Sequence, residues 1–188
     1  KTRNSTIENH FCLKNIIDST KEIAKKGSDK KEENNIYSTI IHSTRMVYSR
    51  AKHLAPIYIN KRPFTLELDE NSEIFNANII KQKMEQVWII ILNNACDEFE
   101  KSTKNIEDRK IDIDISNENS KVVIKIKDNA GDGIPEHVLP NIFNPFASTK
   151  VNKGMGVGLN IAKQIVELHN GTIEAYNEDK CAIFCVEI

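Results

Sequence analysis

Two runs of alternating apolar and charged residues limit the fold of this chain more than any other feature. They are RKIDIDIS at 109–116 and KVVIKIKD at 121–128, separated by the polar turn NENS. Because successive side chains of a strand point to opposite faces, the alternation predicts two adjacent strands with one buried face. Further strands are predicted at 57–59, 64–68, 171–177 and 181–188, and helices at 79–101 and 159–169. This order predicts an α+β fold, a two-layer sandwich in which helices cover one mixed sheet.

The chain before Pro56 differs, because it has no strand-like alternation and its only glycine is Gly27. We interpret it as two helices joined by the polar stretch KKGSDKKEENN. An apolar stripe follows one side of the second helix: Ile36, Ile40, Val47, Ala51 and Leu54. Two helices cannot bury such stripes alone, so we expect this hairpin, residues 1–55, to form a four-helix bundle in a homodimer. The alternative is that the hairpin packs on the following domain, residues 56–188.

Composition and charge exclude several classes of partner. The chain has 188 residues and a net charge of −1, so no general attraction to nucleic acid or anionic membranes is expected. No apolar run reaches the roughly 18 residues of a membrane span, and the first residues lack the apolar segment of a signal peptide. We therefore expect a cytoplasmic location, with membrane attachment only through segments outside this chain. The four cysteines are too scattered for a disulfide framework or a zinc site.

Three polar motifs stand where predicted strands and helices begin or end. Asp128 ends a strand and opens the glycine-containing loop KDNAGDGIPE. Asn94 interrupts the apolar helix QVWIIILNNACDEFE, and its amide oxygen suits a hard cation such as Mg²⁺. In KGMGVGL, Gly154, Gly156 and Gly158 precede a helix whose unpaired N–H groups can receive phosphate. Each motif taken alone has a structural alternative: a tight turn, a helix asparagine that caps a neighbouring loop, or a flexible loop.

Together with the segment NIFNPFASTK, these motifs occur in the order of the N, G1, F and G2 boxes of histidine kinases. From Met84 to its C-terminus the chain resembles the catalytic ATP-binding domain of a sensor histidine kinase. That domain belongs to the wider family of gyrase- and Hsp90-type ATPases, which share the Bergerat ATP-binding fold. The resemblance implies ATP and Mg²⁺ as cofactors, a homodimer, and the receiver domain of a response regulator as a partner.

The resemblance also implies a role for each matching position. Asn94 would bind Mg²⁺, Asp128 would accept a hydrogen bond from the adenine amino group, and Gly131 and Gly133 would let the backbone approach the base. The other ATP-binding positions belong to the lid and the phosphate cradle: Phe143, Phe146, Lys150, Lys153, Gly154, Gly156, Gly158 and Leu159.

The chain departs from the family pattern in two places, the N box and the loop that follows Asp128. Ile90 stands one helical turn before Asn94, where the family usually has a second asparagine, and Asp97 stands where many members have a basic residue. The loop DNAGDG is also one residue longer than usual. We therefore expect the loop to bulge, with Asp128 at the base and Asp132 pointing to solvent.

A phosphate-accepting histidine on the first helix of the hairpin is a further implication of the resemblance. His10, in ENHFCLKNII, is the leading candidate. His42 and His53 are expected to be exposed on the second helix, and His137 and His169 to be surface or helix-end residues in the catalytic domain.

The implied function is that of a protein histidine kinase, which autophosphorylates and passes the phosphoryl group to an aspartate of a response regulator. The alternative is a dimeric ATP-binding regulatory module that signals by conformation without phosphotransfer. A protein serine kinase is disfavoured by the helical hairpin. A hydrolysing ATPase is disfavoured because Ile90 occupies the place of a glutamate base and cannot act as one.

Overall fold

The computed structural model describes residues 30–145 and 157–188 of the chain. The helices in these ranges are α1 Ile36–Ala51, α2 Lys81–Phe99 and α3 Gly158–Leu168. The strands are β1 Glu32–Asn35, β2 Ile57–Ile59, β3 Arg62–Pro63, β4 Asn76–Ile79, β5 Ile111–Glu118, β6 Lys121–Asp128, β7 Thr172–Glu178 and β8 Cys181–Glu187. Short 3₁₀ turns lie at Ile106–Asp108 and Leu139–Asn141.

Six of the strands form one mixed sheet in the order β3-β2-β5-β6-β8-β7. Strands β2 and β5 are parallel, whereas the other neighbours in this sheet are antiparallel. The predicted hairpin of β5 and β6 is present, and it turns at Asn119 and Ser120, whose φ angles are 49° and 66°. The mixed sheet and its helices confirm the predicted α+β fold. Strands β1 and β4, which were not predicted, pair in a separate two-stranded sheet.

The core lies between the helices and one face of the large sheet. Ile113 on β5 and Ile124 on β6 are buried in it, whereas Asp114 and Lys125 on the opposite face are exposed. Helix α2 is central, because it packs on both α1 and α3, and its Trp88 is fully buried. Burial of apolar surface at roughly 25 cal/mol per Å² is the main stabilising contribution of such a layer. The core therefore fixes α2 and α3 relative to the ends of the strands.

Helix α1, which was predicted as the second helix of a dimerising hairpin, packs on this core. Its apolar stripe is buried within the core: Ile36, Ile40, Val47 and Ala51. Trp88 Nε1 of α2 donates to Thr39 Oγ1 of α1 at 2.9 Å, and Ser43 Oγ donates to the Glu85 carbonyl at 3.2 Å. For this helix the contacts agree with the alternative in which the hairpin packs on the following domain, and the core extends across residue 55. The first helix of the predicted hairpin lies outside the described residues.

The predicted strand at 64–68 is wrong. The antiparallel partner of β2 is the short strand β3, and the pairing ends when the Phe64 N–H donates to the Ile57 carbonyl at 2.8 Å. The Leu68 N–H then donates to the Thr65 carbonyl at 3.2 Å, so the chain turns and Leu66 remains exposed. The apolar alternation in this stretch therefore belongs to a turn with one buried side chain, Phe64.

Three of the four described histidines are exposed: His42, His53 and His137. This agrees with the expectation for each of them. His169 follows the last residue of α3, as predicted for a helix-end residue, but it is buried, with 6% of its surface exposed. Within the described ranges, no helix combines the length and the apolar character needed to cross a bilayer.

Candidate functional site

Asp128 is a buried carboxylate at the end of β6. It is 5% exposed, and its Oδ1 accepts a hydrogen bond from the Ala130 N–H at 3.2 Å. Burial raises the pKa of Asp128 to about 6; the Ala130 N–H opposes this shift, Glu98 adds to it and Lys104 opposes it. An ionised carboxylate in such a place is costly while it lacks strong donors, so a ligand that supplies a donor gains from binding to it.

The loop that follows β6 is fastened at its first residues by the segment 102–110. Ser102 Oγ donates to the Ala130 carbonyl, and Lys104 Nζ donates to the Asn129 carbonyl at 2.6 Å. The Asn129 side chain bonds the backbone of the same segment twice, at 2.8 Å each. These bonds satisfy backbone groups that a loop would otherwise leave unpaired, and they fix the first part of the loop.

The middle of this loop projects into solvent. An added Cβ at Gly131 would meet no atom within 4 Å. The Asp132 side chain is 88% exposed and lies 3.5 Å from Lys180 Nζ, so it points to solvent, as predicted. Gly133 has a φ of +86°, and an added Cβ there would lie 2.5 Å from Oδ1 of Asn177. The fold itself therefore requires glycine at 133, whereas the space beside Gly131 is open to a ligand.

Asn94 lies on the side of α2 that meets the start of α3. One turn before it, Ile90 Cγ2 is 3.4 Å from the Cβ position of Gly158, and residues one turn apart share a helix face. Ile90 thus fills the place of the family's second asparagine with an apolar contact. Asn94 is half-buried, and its side chain makes no hydrogen bond with another described residue. Its amide oxygen is therefore available to a ligand.

Helix α3 begins without a side-chain cap at Val157. Within the described chain, the Ile161 N–H is the first of this helix to bond a preceding turn, to the Val157 carbonyl at 3.0 Å. The N–H groups before it have no partner within the helix and carry the positive end of its dipole. Leu159, in this first turn, is half-buried against the core. The start of α3 is therefore suited to an anion.

Phe143 anchors the chain just before the predicted lid. Its ring lies edge-on to Phe184, with 6.4 Å between the centroids, and its carbonyl accepts a hydrogen bond from Asn160 Nδ2 at 3.0 Å. The anchor thus joins the lid's first residues to α3 and the sheet. Five predicted lid and cradle residues, like His10, lie outside the described residues: Phe146, Lys150, Lys153, Gly154 and Gly156.

Arg50 of α1 binds side chains at the C-terminal part of α2 and just beyond its end. It donates to Asn93 Oδ1 at 3.0 Å, to Asp97 Oδ1 at 2.5 Å and to Glu100 Oε1 at 2.8 Å. Asp97, which departs from the family pattern, is thus paired with a cation from α1. Sequence reasoning missed Arg50, and likewise Ser102 and Asn177, because no periodicity or glycine marks them within their polar surroundings.

The residues present are compatible with Mg²⁺ held together with phosphate. Within the described ranges, no three His, Cys, Asp or Glu side chains are grouped to hold a metal ion by themselves. Mg²⁺ is usually bound through one or two protein oxygens together with water and substrate phosphates. The unpaired Asn94 oxygen near the uncapped start of α3 suits that mode of binding and does not suit a cage made only of protein ligands.

Comparison with known proteins shows which family this chain belongs to. The family model described as "Histidine kinase-, DNA gyrase B-, and HSP90-like ATPase" matches residues 80–188. The sensor protein KdpD of Clostridium acetobutylicum is 40% identical over 137 residues, which are 70% of this chain and 14% of that protein. Among the first curated relatives, the matched part of this chain spans between 9% and 23% of their length.

Two solved structures share the fold. The nucleotide-free catalytic domain of the histidine kinase ThkA matches with a TM-score of 0.65 and 23% identity, over 85% of this chain and 95% of that one. ThkA in complex with the response regulator protein TrrA matches with a TM-score of 0.69 and 22% identity, over 98% of this chain and 49% of that one. Residues 56–188 are only 133 of the 188 residues, which is less than 85% of this chain. The match to the catalytic domain of ThkA therefore extends to residues before 56. The solved catalytic domain therefore includes a counterpart of residues before Pro56, in agreement with the packing of α1.

Proposed function

This chain belongs to the family of histidine kinase-, DNA gyrase B- and HSP90-like ATPases, and from that premise we propose that it is the core of a sensor histidine kinase. It binds ATP with Mg²⁺, phosphorylates a histidine that precedes the catalytic domain, and passes the phosphoryl group to an aspartate of a response regulator. The observation that most supports this proposal is the buried Asp128 carboxylate, which ends β6 at the start of a loop with open space at Gly131.

Asp128 selects the base. An ionised carboxylate only accepts hydrogen bonds, so it pairs with the exocyclic amine of adenine. Guanine presents a carbonyl oxygen at the corresponding position, which repels a carboxylate. The open space beside Gly131 allows the backbone to approach the base. Fixing of the loop by Ser102 and Lys104 lowers the cost of ordering it when nucleotide binds.

The phosphates lie between α2 and the start of α3. Asn94 would hold Mg²⁺ through its amide oxygen, and the N–H groups of the first turn of α3, from Gly158 onward, would donate to phosphate oxygens. The bound metal would offset the charge that develops on the phosphates during transfer. The γ-phosphorus then forms a bond to an imidazole nitrogen as its bond to the β–γ bridging oxygen breaks, and ADP leaves.

His10 is the proposed phosphate acceptor. Because α1 packs on the catalytic core, we propose that this domain begins near β1 and that phosphotransfer and dimerisation depend on residues before Glu32. The test has two steps. Calorimetric titration with ATP and ADP, with and without Mg²⁺, measures binding. Incubation with γ-labelled ATP then measures acid-labile protein phosphate, and we expect it to vanish in His10→Gln.

Label that persists in His10→Gln would overturn the choice of acceptor. A chain that binds no adenine nucleotide would overturn the proposed function.

The second candidate is an ATP-binding module that signals by conformation. It is favoured by Ile90, whose contact with Gly158 puts an apolar group where the family offers a second ligand. Nucleotide binding without any detectable phosphohistidine would select this candidate.

A further inference from the structure

We propose that Asn177, on the edge strand β7, is a positioning residue of the nucleotide site. It fixes the loop that follows Asp128 by binding the backbone of Ile134, and it makes glycine necessary at position 133. This inference rests on the proposed function, because the loop matters only if nucleotide binds beside it. Asn177 belongs to none of the motifs that carry the family resemblance.

The contact between Asn177 and Ile134 has two hydrogen bonds. Oδ1 of Asn177 accepts from the Ile134 N–H at 2.7 Å, and Nδ2 donates to the Ile134 carbonyl at 2.8 Å. One side-chain amide therefore satisfies both backbone groups of one residue, as a neighbouring strand would do. Because the amide comes from the last strand of the sheet, the loop is held as a one-residue extension of that sheet.

The strand register shows what this contact spans. Asp128 pairs with Ala182 of β8, and Ala182 pairs with Asn177 of β7, so the three residues form one row. Adjacent strands lie about 4.8 Å apart, which places Asp128 and Asn177 roughly 10 Å apart along the backbone row. The loop leaves β6 at Asp128, crosses the end of β8 and is bound at β7 by Asn177.

The loop is thus fixed at two ends. Ser102 and Lys104 bind its first residues, and Asn177 binds its last, with Gly131 and Asp132 between the two anchors. With both ends fixed, the backbone beside the base position is held before nucleotide arrives. If one anchor is removed, binding must also order the loop, and affinity falls.

Gly133 lies against the side chain of Asn177. An added Cβ would lie 2.5 Å from Oδ1 and 2.8 Å from Cγ of Asn177, closer than such atoms approach. Its φ of +86° disfavours any side chain independently. Two separate costs therefore oppose alanine at 133, and only the steric one depends on Asn177. This separation allows a double-mutant test that a general structural role would not satisfy.

The test titrates ADP, with Mg²⁺, into the wild-type chain, Asn177→Ala, Gly133→Ala and the double variant. Loss of one loop anchor should raise the dissociation constant about 5-fold in Asn177→Ala. The clash and the strained φ should raise it about 30-fold in Gly133→Ala. In the double variant the clash is gone, so we expect a rise well below the product of the two single effects and no greater than that of Gly133→Ala alone.

A second readout needs no nucleotide. The Ile134 amide should exchange with solvent at least about 10-fold faster in Asn177→Ala, because its acceptor is removed. Asn177→Asp keeps the acceptor and loses the donor, so its exchange rate at the Ile134 amide should lie between those of wild type and Asn177→Ala. It replaces Asn177→Ala in the test if the alanine variant does not fold. Asn117→Ala is the matched control, since Asn117 is exposed near the β5–β6 turn, far along the sheet from Asp128, and should change neither readout.

The outcomes separate the two proposals. A wild-type chain that binds no nucleotide refutes the proposed function and this inference with it. A wild-type chain that binds, combined with an Asn177→Ala variant unchanged in affinity and in Ile134 exchange, refutes the inference alone. Single-variant effects that simply multiply in the double variant also refute it.

Discussion

Asp128 and His169 are both buried titratable side chains at the ends of regular elements, but the protein satisfies them differently. His169, beyond the end of α3, donates through Nδ1 to the Ile165 carbonyl at 2.7 Å and accepts at Nε2 from the Ile80 N–H at 2.9 Å. Asp128 has several lone pairs and, among the described residues, receives one weak backbone donor, the Ala130 N–H. The comparison indicates that a buried group whose partners are all internal holds the fold together, whereas one with spare acceptors is prepared for a ligand.

The electrostatics of the two sites are also opposite. Burial lowers the pKa of His169, and Lys31 and Lys83 lower it further, while its bond to the Ile165 carbonyl opposes the shift. Burial raises the pKa of Asp128 to about 6. In each case burial favours the neutral form, so His169 stays neutral at pH 7, whereas Asp128 must ionise there at a cost.

The largest expected effect is on nucleotide binding at Asp128. Asp128→Asn replaces an acceptor-only carboxylate with an amide of equal size, which removes a charge-assisted hydrogen bond to the adenine amine. We expect ATP affinity, measured by calorimetry, to fall at least about 100-fold. His169→Ala should bind ATP within about 3-fold of wild type in its folded fraction, because its contacts are at the far end of α3. Equal losses in both variants would contradict the distinction between the two sites.

The next largest effect is on stability at His169. His169→Ala leaves the Ile80 N–H without its acceptor and empties a buried volume, so we expect a loss of about 3 kcal/mol in the free energy of unfolding. Urea denaturation without nucleotide measures it. His53→Ala, at an exposed position in the turn that follows α1, should stay within about 0.5 kcal/mol of wild type and serves as the control.

The two groups should also give pH dependences of opposite sign. The raised pKa of Asp128 makes its contribution to stability most favourable below the ordinary value of 3.8, and that contribution is lost as pH rises through about 6. At pH 8, Asp128→Asn should therefore be more stable than wild type by on the order of 2 kcal/mol. The difference should shrink as pH falls from 7 towards 4, as urea denaturation at several pH values would show.

His169 should act in the other direction. Its pKa is lowered from 6.5, so its contribution to stability is present above that value and is lost as pH falls through the lowered pKa. In Asp128→Asn, the dependence of the free energy of unfolding on pH that comes from His169 should remain. In His169→Ala, the dependence that comes from Asp128 should remain. If the free energy of unfolding of the two variants changed with pH in the same direction, the pKa shifts assigned to Asp128 and His169 would be contradicted.

The smallest expected effect concerns Asn94. Asn94→Ala should weaken ATP binding about 5-fold in the presence of Mg²⁺ and leave Mg²⁺-free binding of adenosine unchanged, because the lost oxygen acts through the metal. Unfolding stability should change by less than about 1 kcal/mol, since Asn94 makes no hydrogen bond with another described residue. A large loss of stability would show that Asn94 is structural, like His169.

The sequence by itself determined the hairpin of β5 and β6, the order of the motifs and the place of Asp128 at the end of a strand. The alternation in β5 and β6 follows from the two-residue period of a strand, and a polar residue at the end of such a run lies at a sheet edge. The glycines that follow Asp128 can also be read directly from neighbouring positions in the sequence. The exposure of Asp132 follows from the same local geometry.

Only the tertiary structure decided which elements meet. An apolar stripe on α1 shows that one side is buried but does not specify its partner, which among the described residues is α2 and the core around it. Asn177 binds Ile134 across 43 residues, and His169 binds Ile80 across 89. Contacts of this kind have no period in the sequence, because they depend on how distant segments approach once the core has packed.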